Sequence, residues 1–317
     1  MTKELTIQQT ADRLMEMDRI LILTHNLPDG DAIGSALALT AGLRQKGKKI
    51  RATWSGELSS CYHVLIDSYE DEDFEPEHVV SVDIAGVHLL PKETKHLGDN
   101  VDLAINHHGT NTGFAKESLV LAQSASCAEI VMDVILAFGG TITPYIGSCI
   151  YVGLSTDTGC FRFNNTTPDS HMRAAKLAGL GVDIANLNQL FFEQKSRARI
   201  EIERRVLDGI EFTEGGKICF ITITREMMDE TGCLESDIEG LASLPKSVEG
   251  VEAGITLRER PNGNWKISVR TKYLNAAKIC SYFGGGGHTF AAGCECSGTP
   301  FDIKVAMCKI IKQEMSS

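Results

Sequence analysis

The chain has 317 residues, a formal net charge of −11, and 43% hydrophobic but only 6% aromatic residues. Its length and hydrophobic content fit two domains with buried cores. The charge argues against duplex DNA or an anionic membrane as a partner, and the few aromatics argue against an extended base-stacking platform. A small phosphorylated substrate remains compatible, because bound divalent cations reverse the local field of an acidic site.

In chain order, the first half of the sequence alternates amphipathic or apolar helices with apolar strands. We predict helices over 6–18, 32–45, 126–138, 143–155 and 168–181, and strands over 19–24, 49–54, 79–83 and 101–106. An acidic stretch over 68–78 is expected to be solvated. This alternation predicts an α/β domain with a mostly parallel sheet, in which ligands collect at the carboxyl ends of the strands.

The second half is predicted to form a smaller α/β unit with a mixed sheet. A charged amphipathic helix near 190–207 is interpreted as a connection between domains. Beyond it we predict strands over 217–224, 250–258 and 265–271, and helices over 275–283 and 301–314. The resulting division is a first domain over 1–187, a helical linker over 188–208 and a second domain over 209–317.

The sequence shows neither a secretory signal nor a run of about 20 apolar residues, so a cytoplasmic protein is expected. Ten cysteines are scattered without a CxxC pair, which favours free thiols in a reducing compartment. A redox or structural protein would need thiols close enough to pair, and the spacing gives no sign of that.

Three candidate metal ligands follow the first predicted strand: His25, Asp29 and Asp31. The two carboxylates flank a glycine and can face two neighbouring cations. Carboxylates suit Mg²⁺ or Mn²⁺, and the imidazole shifts the preference toward Mn²⁺ or another transition metal. Taken alone, two acids at this spacing more often form a turn or a helix cap.

Further candidates recur at the ends of other apolar segments. Asp83 ends a buried strand, His107 and His108 follow the next strand, and Asp157 follows an apolar helix. Each has a structural alternative, as a turn cap, as surface histidines or as a helix C-terminal cap. Together with the first three they supply ligands for two divalent ions, with Asp83 as the bridging carboxylate. Such a pair of ions activates water for hydrolysis of a phosphate ester or anhydride.

A glycine cluster near the C-terminus, Gly284-Gly-Gly-Gly-His288, offers backbone N–H groups that can cradle phosphate or carboxylate oxygens. The alternative is a flexible connection between helices, although the apolar continuation indicates a packed turn. Arg270, near the end of a predicted strand, could grip a phosphate with two hydrogen bonds, although surface arginines are usually only solvated.

These motifs together resemble those of the DHH/DHHA1 phosphoesterase family over nearly the whole chain. The first motif is similar to the segment from His25 through Asp29-Gly-Asp31, the second to Asp83, and the fourth to Asp157-Thr-Gly-x-Phe161. The C-terminal signature is similar to Ser268-x-Arg270 followed by the glycine cluster and His288.

The resemblance implies a catalytic DHH domain that holds two divalent ions, Mn²⁺ with Mg²⁺ or Co²⁺ as alternatives, and a DHHA1 domain that binds substrate. One ion would be held by His25, Asp29 and Asp83, and the other by Asp31, Asp83, His107 and Asp157. His108 would contact the phosphate, and the substrate would be bound by Arg270, Gly285, Gly286, Gly287 and His288 across an interdomain cleft. The implied substrates are short oligonucleotides, linear dinucleotides or 3′-phosphoadenosine-5′-phosphate (pAp). A homodimer is among the assemblies that the resemblance allows.

One residue departs from the family pattern. The third motif should read Asp-His-His, and here it begins with Asn106. An amide can hydrogen-bond but cannot carry a proton or a negative charge, so this position bears on catalysis. An active natural variant, one with weakened catalysis, and an introduced inactivating change all stay open. The rival function is a catalytically impaired nucleotide-binding sensor or effector.

Overall fold

A computed structural model describes residues 2–238 and 240–316. The chain forms two compact units, Met1–Gln194 and Lys195–Ser317. The linker predicted over 188–208 therefore overlaps the end of the first unit and the start of the second. Among the described residues, every helix is too short or too polar to span a lipid bilayer.

The first unit alternates strands and helices along most of its length. Its elements are β1 (Lys3–Glu4), α1 (Ile7–Glu16), β2 (Ile20–Leu23), α2 (Gly30–Arg44), β3 (Ile50–Thr53), α3 (His63–Ile66), β4 (His78–Val82), β5 (Leu103–Asn106), β6 (Glu117–Val120), α4 (Cys127–Ala137), α5 (Pro144–Asp157), α6 (Pro168–Gly179) and α7 (Ile184–Asn188).

The six strands of this unit form one parallel sheet in the order β1-β6-β5-β4-β2-β3. The predicted mostly parallel sheet is therefore confirmed. From β2 the chain first adds β3 on one side and then crosses to add β4 on the other side. The carboxyl ends of β2 and β4 thus border a topological switch point, where parallel α/β sheets leave a crevice for ligands.

Helix α2 is the centre of this unit's core, because nearly all of its side chains are buried. It packs closely against α5 through glycines. A Cβ at Gly34 would lie 2.3 Å from the carbonyl oxygen of Cys149, and one at Gly153 would lie 2.8 Å from a carboxylate oxygen of Asp31. Small residues therefore let the two helices approach until their acidic side chains meet.

The second unit contains α8 (Arg197–Asp208), β7 (Glu211–Thr213), β8 (Ile218–Ile223), α9 (Arg225–Thr231), α10 (Leu244–Ser247), β9 (Ala253–Glu259), β10 (Trp265–Thr271), α11 (Ala276–Ser281), β11 (Gly286–His288), β12 (Ala291–Cys296) and α12 (Pro300–Met315). Helix α8 packs within this unit, because Ile202 and Val206 are buried in one cluster with Ile221.

The strands of the second unit form a sheet in the order β11-β12-β10-β9-β8-β7. Only β8 and β9 run parallel, and the other neighbours are antiparallel, so the predicted mixed sheet is confirmed. One face packs on α11 and α12 through residues such as Ile255, Ile267 and Ile303. The glycine cluster is not a flexible connection, because Gly286–His288 forms the edge strand β11.

Candidate metal centre

His25 and Asp29 lie in the segment between β2 and α2. Asp29 is the N-cap of α2, and its Oδ1 accepts hydrogen bonds from the backbone N–H groups of Asp31 and Ala32. The Nε2 atom of His25 lies 3.8 Å from both Asp29 and Asp83. Burial would lower the pKa of His25, but hydrogen bonding and charge from Asp29 raise it to about 9. Asp29 therefore acts as a helix cap, as its structural alternative predicted, and its Oδ2 atom remains available to bind a cation.

Asp31 lies inside the first turn of α2 and is fully buried. Its two carboxylate oxygens accept backbone hydrogen bonds from Cys127 at 2.6 Å and Ala128 at 2.9 Å, at the start of α4. Burial, followed by the charges of Asp83 and Asp157, raises its pKa well above the usual value. The side chain is thus fixed in orientation at the N-terminus of α4 while it faces other acids.

Asp83 follows the last residue of β4 and has a positive φ of 58°. This left-handed conformation is uncommon for a residue with a side chain and turns the carboxylate at the strand end. The side chain is almost completely buried, and its Oδ1 atom has no hydrogen-bond partner among the described residues. Burial and the charge of Asp29 raise the pKa of Asp83. Because this buried oxygen accepts no hydrogen bond, a positive charge nearby would stabilise the carboxylate.

His107 follows β5 and faces three carboxylates. Its Nε2 atom lies 3.4 Å from Asp157, 3.5 Å from Asp83 and 3.8 Å from Asp31. The Nδ1 atom lies 3.2 Å from the carbonyl oxygen of Ser124, and we assign the ring proton to this atom because a carbonyl only accepts. Burial, followed by the charge of His108, lowers the pKa of His107 to about 4, so its neutral Nε2 lone pair faces the acids.

Asn106 ends β5 and is fully buried. Its Oδ1 accepts hydrogen bonds from the backbone N–H groups of His107 and His108 and lies 2.8 Å from Nδ1 of His108. Its Nδ2 donates to the carbonyl oxygen of Ile84 at 3.0 Å. The amide therefore positions the imidazole of His108, whose other nitrogen is left for a ligand.

Asp157 is the last residue of α5, so it lies within the helix, which was predicted to end at residue 155. Burial, followed by the charge of Asp29, raises its pKa to about 7. The backbone carbonyl of this residue accepts a hydrogen bond from the Asn165 side chain, so the segment after the helix is held in place.

The structure brings the six predicted metal ligands together in two groups of three residues. Within each group, one potential ligand atom from each residue lies within 4.8 Å of the others, and the groups are His25, Asp29 and Asp83, and Asp31, His107 and Asp157. Potential ligand atoms of Asp83, His107 and His108 also lie within 4.8 Å of one another. Because Nδ1 of His108 donates to Asn106, we exclude that nitrogen as a ligand.

The donor set fits divalent cations. Nε2 of His107 and Oδ1 of Asp83 are both buried acceptors without a hydrogen-bond partner in the described part of the chain. Four acids and two imidazoles converge here, and the repulsion among the acids is offset only by positive charge. Such a mixed nitrogen and oxygen set suits Mn²⁺ and related transition ions.

The substrate-binding residues predicted in the second unit lie on or beside two of its strands. Arg270 lies on β10, and its Nη1 donates to the carbonyl oxygens of Val269 and Ala292. His288, on the edge strand β11, is exposed. Gly285 donates its N–H to the carbonyl of Cys280, and a Cβ there would lie 2.2 Å from the carbonyl oxygen of Gly293. Close packing against β12 therefore accounts for the glycine at position 285, and no ligand is needed to explain it.

Sequence reasoning missed groups that act through the backbone. The carbonyl of Ser124 fixes the ring proton of His107, and the N–H groups of Cys127 and Ala128 hold Asp31. Backbone groups leave no signal in a residue pattern, because any side chain can accompany them.

Comparison with known proteins gives matches over both units. Residues 19–154 match the model of the DHH family, N-terminal domain, and residues 216–315 match that of the DHHA1 domain. A Thermus thermophilus protein named bifunctional oligoribonuclease and PAP phosphatase NrnA is 34% identical over 89% of this chain and 86% of its own length. The Bacillus subtilis protein of the same name is 24% identical over 87% of this chain and 88% of its own.

Solved structures share the fold. An exopolyphosphatase-related protein from Bacteroides fragilis superposes with a TM-score of 0.84 at 23% identity, over 98% of this chain and 95% of its own. RecJ from Thermus thermophilus in complex with Mn²⁺ has a TM-score of 0.54 at 13% identity, over 98% of this chain and 55% of its own.

Proposed function

Because this chain belongs to the DHH family and carries a DHHA1 domain, we propose that it is a two-metal phosphoesterase that hydrolyses short oligonucleotides, linear dinucleotides or pAp. Its relatives from Thermus thermophilus and Bacillus subtilis are named for oligoribonuclease and PAP phosphatase activities. One observation carries the proposal: the neutral Nε2 of His107 faces the carboxylates of Asp31, Asp83 and Asp157, an arrangement that a cation stabilises.

We assign two divalent ions to this centre, with Mn²⁺ favoured by the donor set and Mg²⁺ or Co²⁺ as alternatives. His25, Asp29 and Asp83 would hold one ion, and Asp31, Asp83, His107 and Asp157 the other. RecJ, which shares the fold, was crystallised with Mn²⁺. When bound, the ions supply a lowered pKa for an attacking water and electrostatic stabilisation of the phosphoryl oxygens.

The protein's own residues position the substrate. Asn106 holds Nδ1 of His108, so Nε2 of this imidazole is left for a phosphate oxygen, to which it donates a hydrogen bond when the ring is in its imidazolium form. The side chain of His108 is 42% exposed, so a substrate can reach it. We assign Arg270 and His288 of the second unit, with the backbone of Gly286 and Gly287, to binding a substrate phosphate.

Cellular location and assembly are also proposals. Buried thiols such as Cys127 and Cys149 fit a reducing compartment, which supports the cytoplasm. A homodimer remains a prediction from the family resemblance.

The function can be tested with purified protein and Mn²⁺ on pAp, a dinucleotide and inorganic pyrophosphate. We expect hydrolysis of the first two substrates and little hydrolysis of pyrophosphate. Asp83→Asn should lower kcat at least a thousandfold, because it removes the shared carboxylate. Asp102→Asn is the matched control, since Asp102 is also acidic and largely buried in this unit but pairs with Lys116. A wild-type protein that hydrolyses none of the three substrates would refute the proposal.

A further inference from the structure

The first unit has a cavity of about 270 Å³ at the carboxyl edge of its parallel sheet. It is lined by Trp54 and Ser55, which directly follow β3. The segment between β4 and β5 also contributes to the lining, with Pro91, Glu93 and Thr94. Strands β3 and β4 pair with β2 from opposite sides, so the cavity lies at the topological switch point of the sheet. Parallel α/β sheets bind ligands at this place.

Hydrogen bonds connect this cavity to the candidate metal centre. The hydroxyl of Ser55 donates to Oδ1 of Asn26 at 3.3 Å and accepts the backbone N–H of Leu27 at 3.3 Å. Asn26 donates its own N–H to the carbonyl oxygen of Leu89, in the segment between β4 and β5. His25, which precedes Asn26, faces the acids of the metal centre. The cavity wall therefore contacts the residue next to a predicted metal ligand.

Trp54 gives the cavity an aromatic ring that is held in place by packing. Its ring centroid lies 5.5 Å from that of Tyr69, at an interplanar angle of 58°. The Tyr69 hydroxyl accepts a hydrogen bond from the backbone N–H of Ala52 at 2.8 Å, so this neighbour is itself fixed to β3. Trp54 is only partly buried. A fixed ring with an accessible surface suits stacking, because little side-chain entropy is lost when a ligand binds.

Leu27 adds an exposed apolar side chain beside the cavity. The residue is 75% exposed and has a positive φ of 57°, a left-handed conformation that is uncommon for a residue with a side chain. Backbone strain of this kind clusters at ligand-binding sites. Because the N–H of Leu27 bonds to Ser55, this conformation is tied to the cavity wall. An apolar side chain exposed here suits contact with an apolar part of a ligand.

The lining indicates the chemical class of the ligand. None of the described residues that form it is a lysine or an arginine, so a phosphate group would have no counterion there. The hydroxyls of Ser55 and Thr94 and the carboxylate of Glu93 accompany the Trp54 ring. This combination matches a flat, uncharged ring with polar groups at its edge. A nucleobase has this chemistry, and a carboxylate can accept a hydrogen bond from a base amino group.

We propose that this cavity is a nucleobase subsite, in which the base of a nucleotide whose phosphate is bound at the metal centre stacks on Trp54. Purines are favoured over pyrimidines, because their larger ring system covers more of the indole and their amino group can bond to Glu93. The inference rests on the proposed phosphoesterase function and names a substrate feature that the metal ions cannot distinguish.

Intrinsic fluorescence tests base binding without turnover. The chain has two tryptophans, so Trp54 is the only one in a Trp265→Phe variant. With a chelator present, adenosine should quench its emission saturably, whereas ribose, which lacks a base, should not. Trp54→Phe is the matched control, because it keeps only Trp265, in the second unit, and its emission should stay constant.

Absence of quenching by adenosine in Trp265→Phe, or equal quenching in Trp54→Phe, would overturn the proposal. Saturable quenching of Trp54 in a protein that hydrolyses no nucleotide would instead refute only the phosphoesterase function.

A second test compares dinucleotides of adenine and of uracil with Mn²⁺. Trp54→Ala should lower kcat/KM for the adenine dinucleotide about tenfold, mainly through KM, because one base–aromatic stack is lost. The fall for the uracil dinucleotide should be smaller, and Trp54→Phe should retain most of the wild-type value. Phe138→Ala is the control, since Phe138 is also a partly buried aromatic residue but lies at the C-terminal end of α4. An unchanged adenine-to-uracil ratio in Trp54→Ala, or an equal fall of this ratio in Phe138→Ala, would contradict the proposal.

Discussion

At the scale of single residues, the position that departs from the family motif is well accommodated. Asn106 makes one hydrogen bond that a carboxylate could not make, since its Nδ2 donates to the carbonyl of Ile84. Its Oδ1 makes the contacts with the histidine segment that a carboxylate oxygen could also make. The sequence identified the substitution, but only the structure shows that the amide already positions His108.

The first prediction concerns this amide. Asn106→Asp should lower the free energy of unfolding by about 1–3 kcal/mol, because a buried carboxylate would face the Ile84 carbonyl without a donor between them. Turnover of pAp should rise less than threefold, because the orientation of His108 is already set. Urea unfolding and initial rates measure the two quantities. A rise in turnover of tenfold or more, with substrate affinity unchanged, would favour the impaired sensor instead.

The second prediction concerns pH in the metal-free protein. The pKa of His25 is raised to about 9 and that of Asp157 to about 7, so the folded state binds more protons than the unfolded state over pH 6.5–9. The stabilisation is present at low pH and is lost as pH rises through these values, by about 1–3 kcal/mol. The opposite contribution of His107, with a pKa of about 4, lies below this range.

This dependence can be measured by urea unfolding with a chelator in a Trp265→Phe background, where Trp54 reports on the first unit. His25→Gln should flatten the dependence, since it removes the group with the pKa of about 9. Stability that rises between pH 6.5 and 9 would contradict the prediction.

At the scale of elements, long periodic segments could be predicted from sequence and short edge strands could not. Strand β10 and the helices α4 and α5 were predicted within about two residues of their bounds. The two-residue strand β1 and the glycine-containing strand β11 were missed, because their pairing depends on distant partners rather than on local pattern. Helix α2 begins at Gly30, two residues earlier than predicted, because Asp29 caps it.

The third prediction tests the close packing of α2 on α5. Gly34→Ala should destabilise the first unit by about 3 kcal/mol, because the added Cβ would lie 2.3 Å from the Cys149 carbonyl oxygen. Gly179→Ala at the end of α6 is the control, since no atom lies within 4 Å of its Cβ position, and it should change stability by less than about 1 kcal/mol. The Trp54 unfolding measurement applies here too. Equal effects of the two substitutions would refute this account of the helix contact.

At the scale of the whole molecule, the two units differ in charge. The acidic first unit contains the candidate metal centre, while the second unit is balanced in charge. The overall charge argued against duplex DNA as a partner, but composition alone could not reveal how that charge is distributed between the two units. The fold class followed from the alternation of strands and helices. The convergence of His25, Asp83 and Asp157 required strand order, which the sequence pattern does not encode.

The central claim is a two-ion centre with Asp83 shared between the ions, and direct measurement of Mn²⁺ binding tests it most closely. Equilibrium dialysis with metal analysis should find two Mn²⁺ per wild-type chain and two per Asp102→Asn chain. Asp83→Asn should bind at most one with measurable affinity, because both ligand groups lose a carboxylate oxygen. Wild-type protein that binds no Mn²⁺, or Asp83→Asn protein that still binds two ions as tightly, would contradict the account.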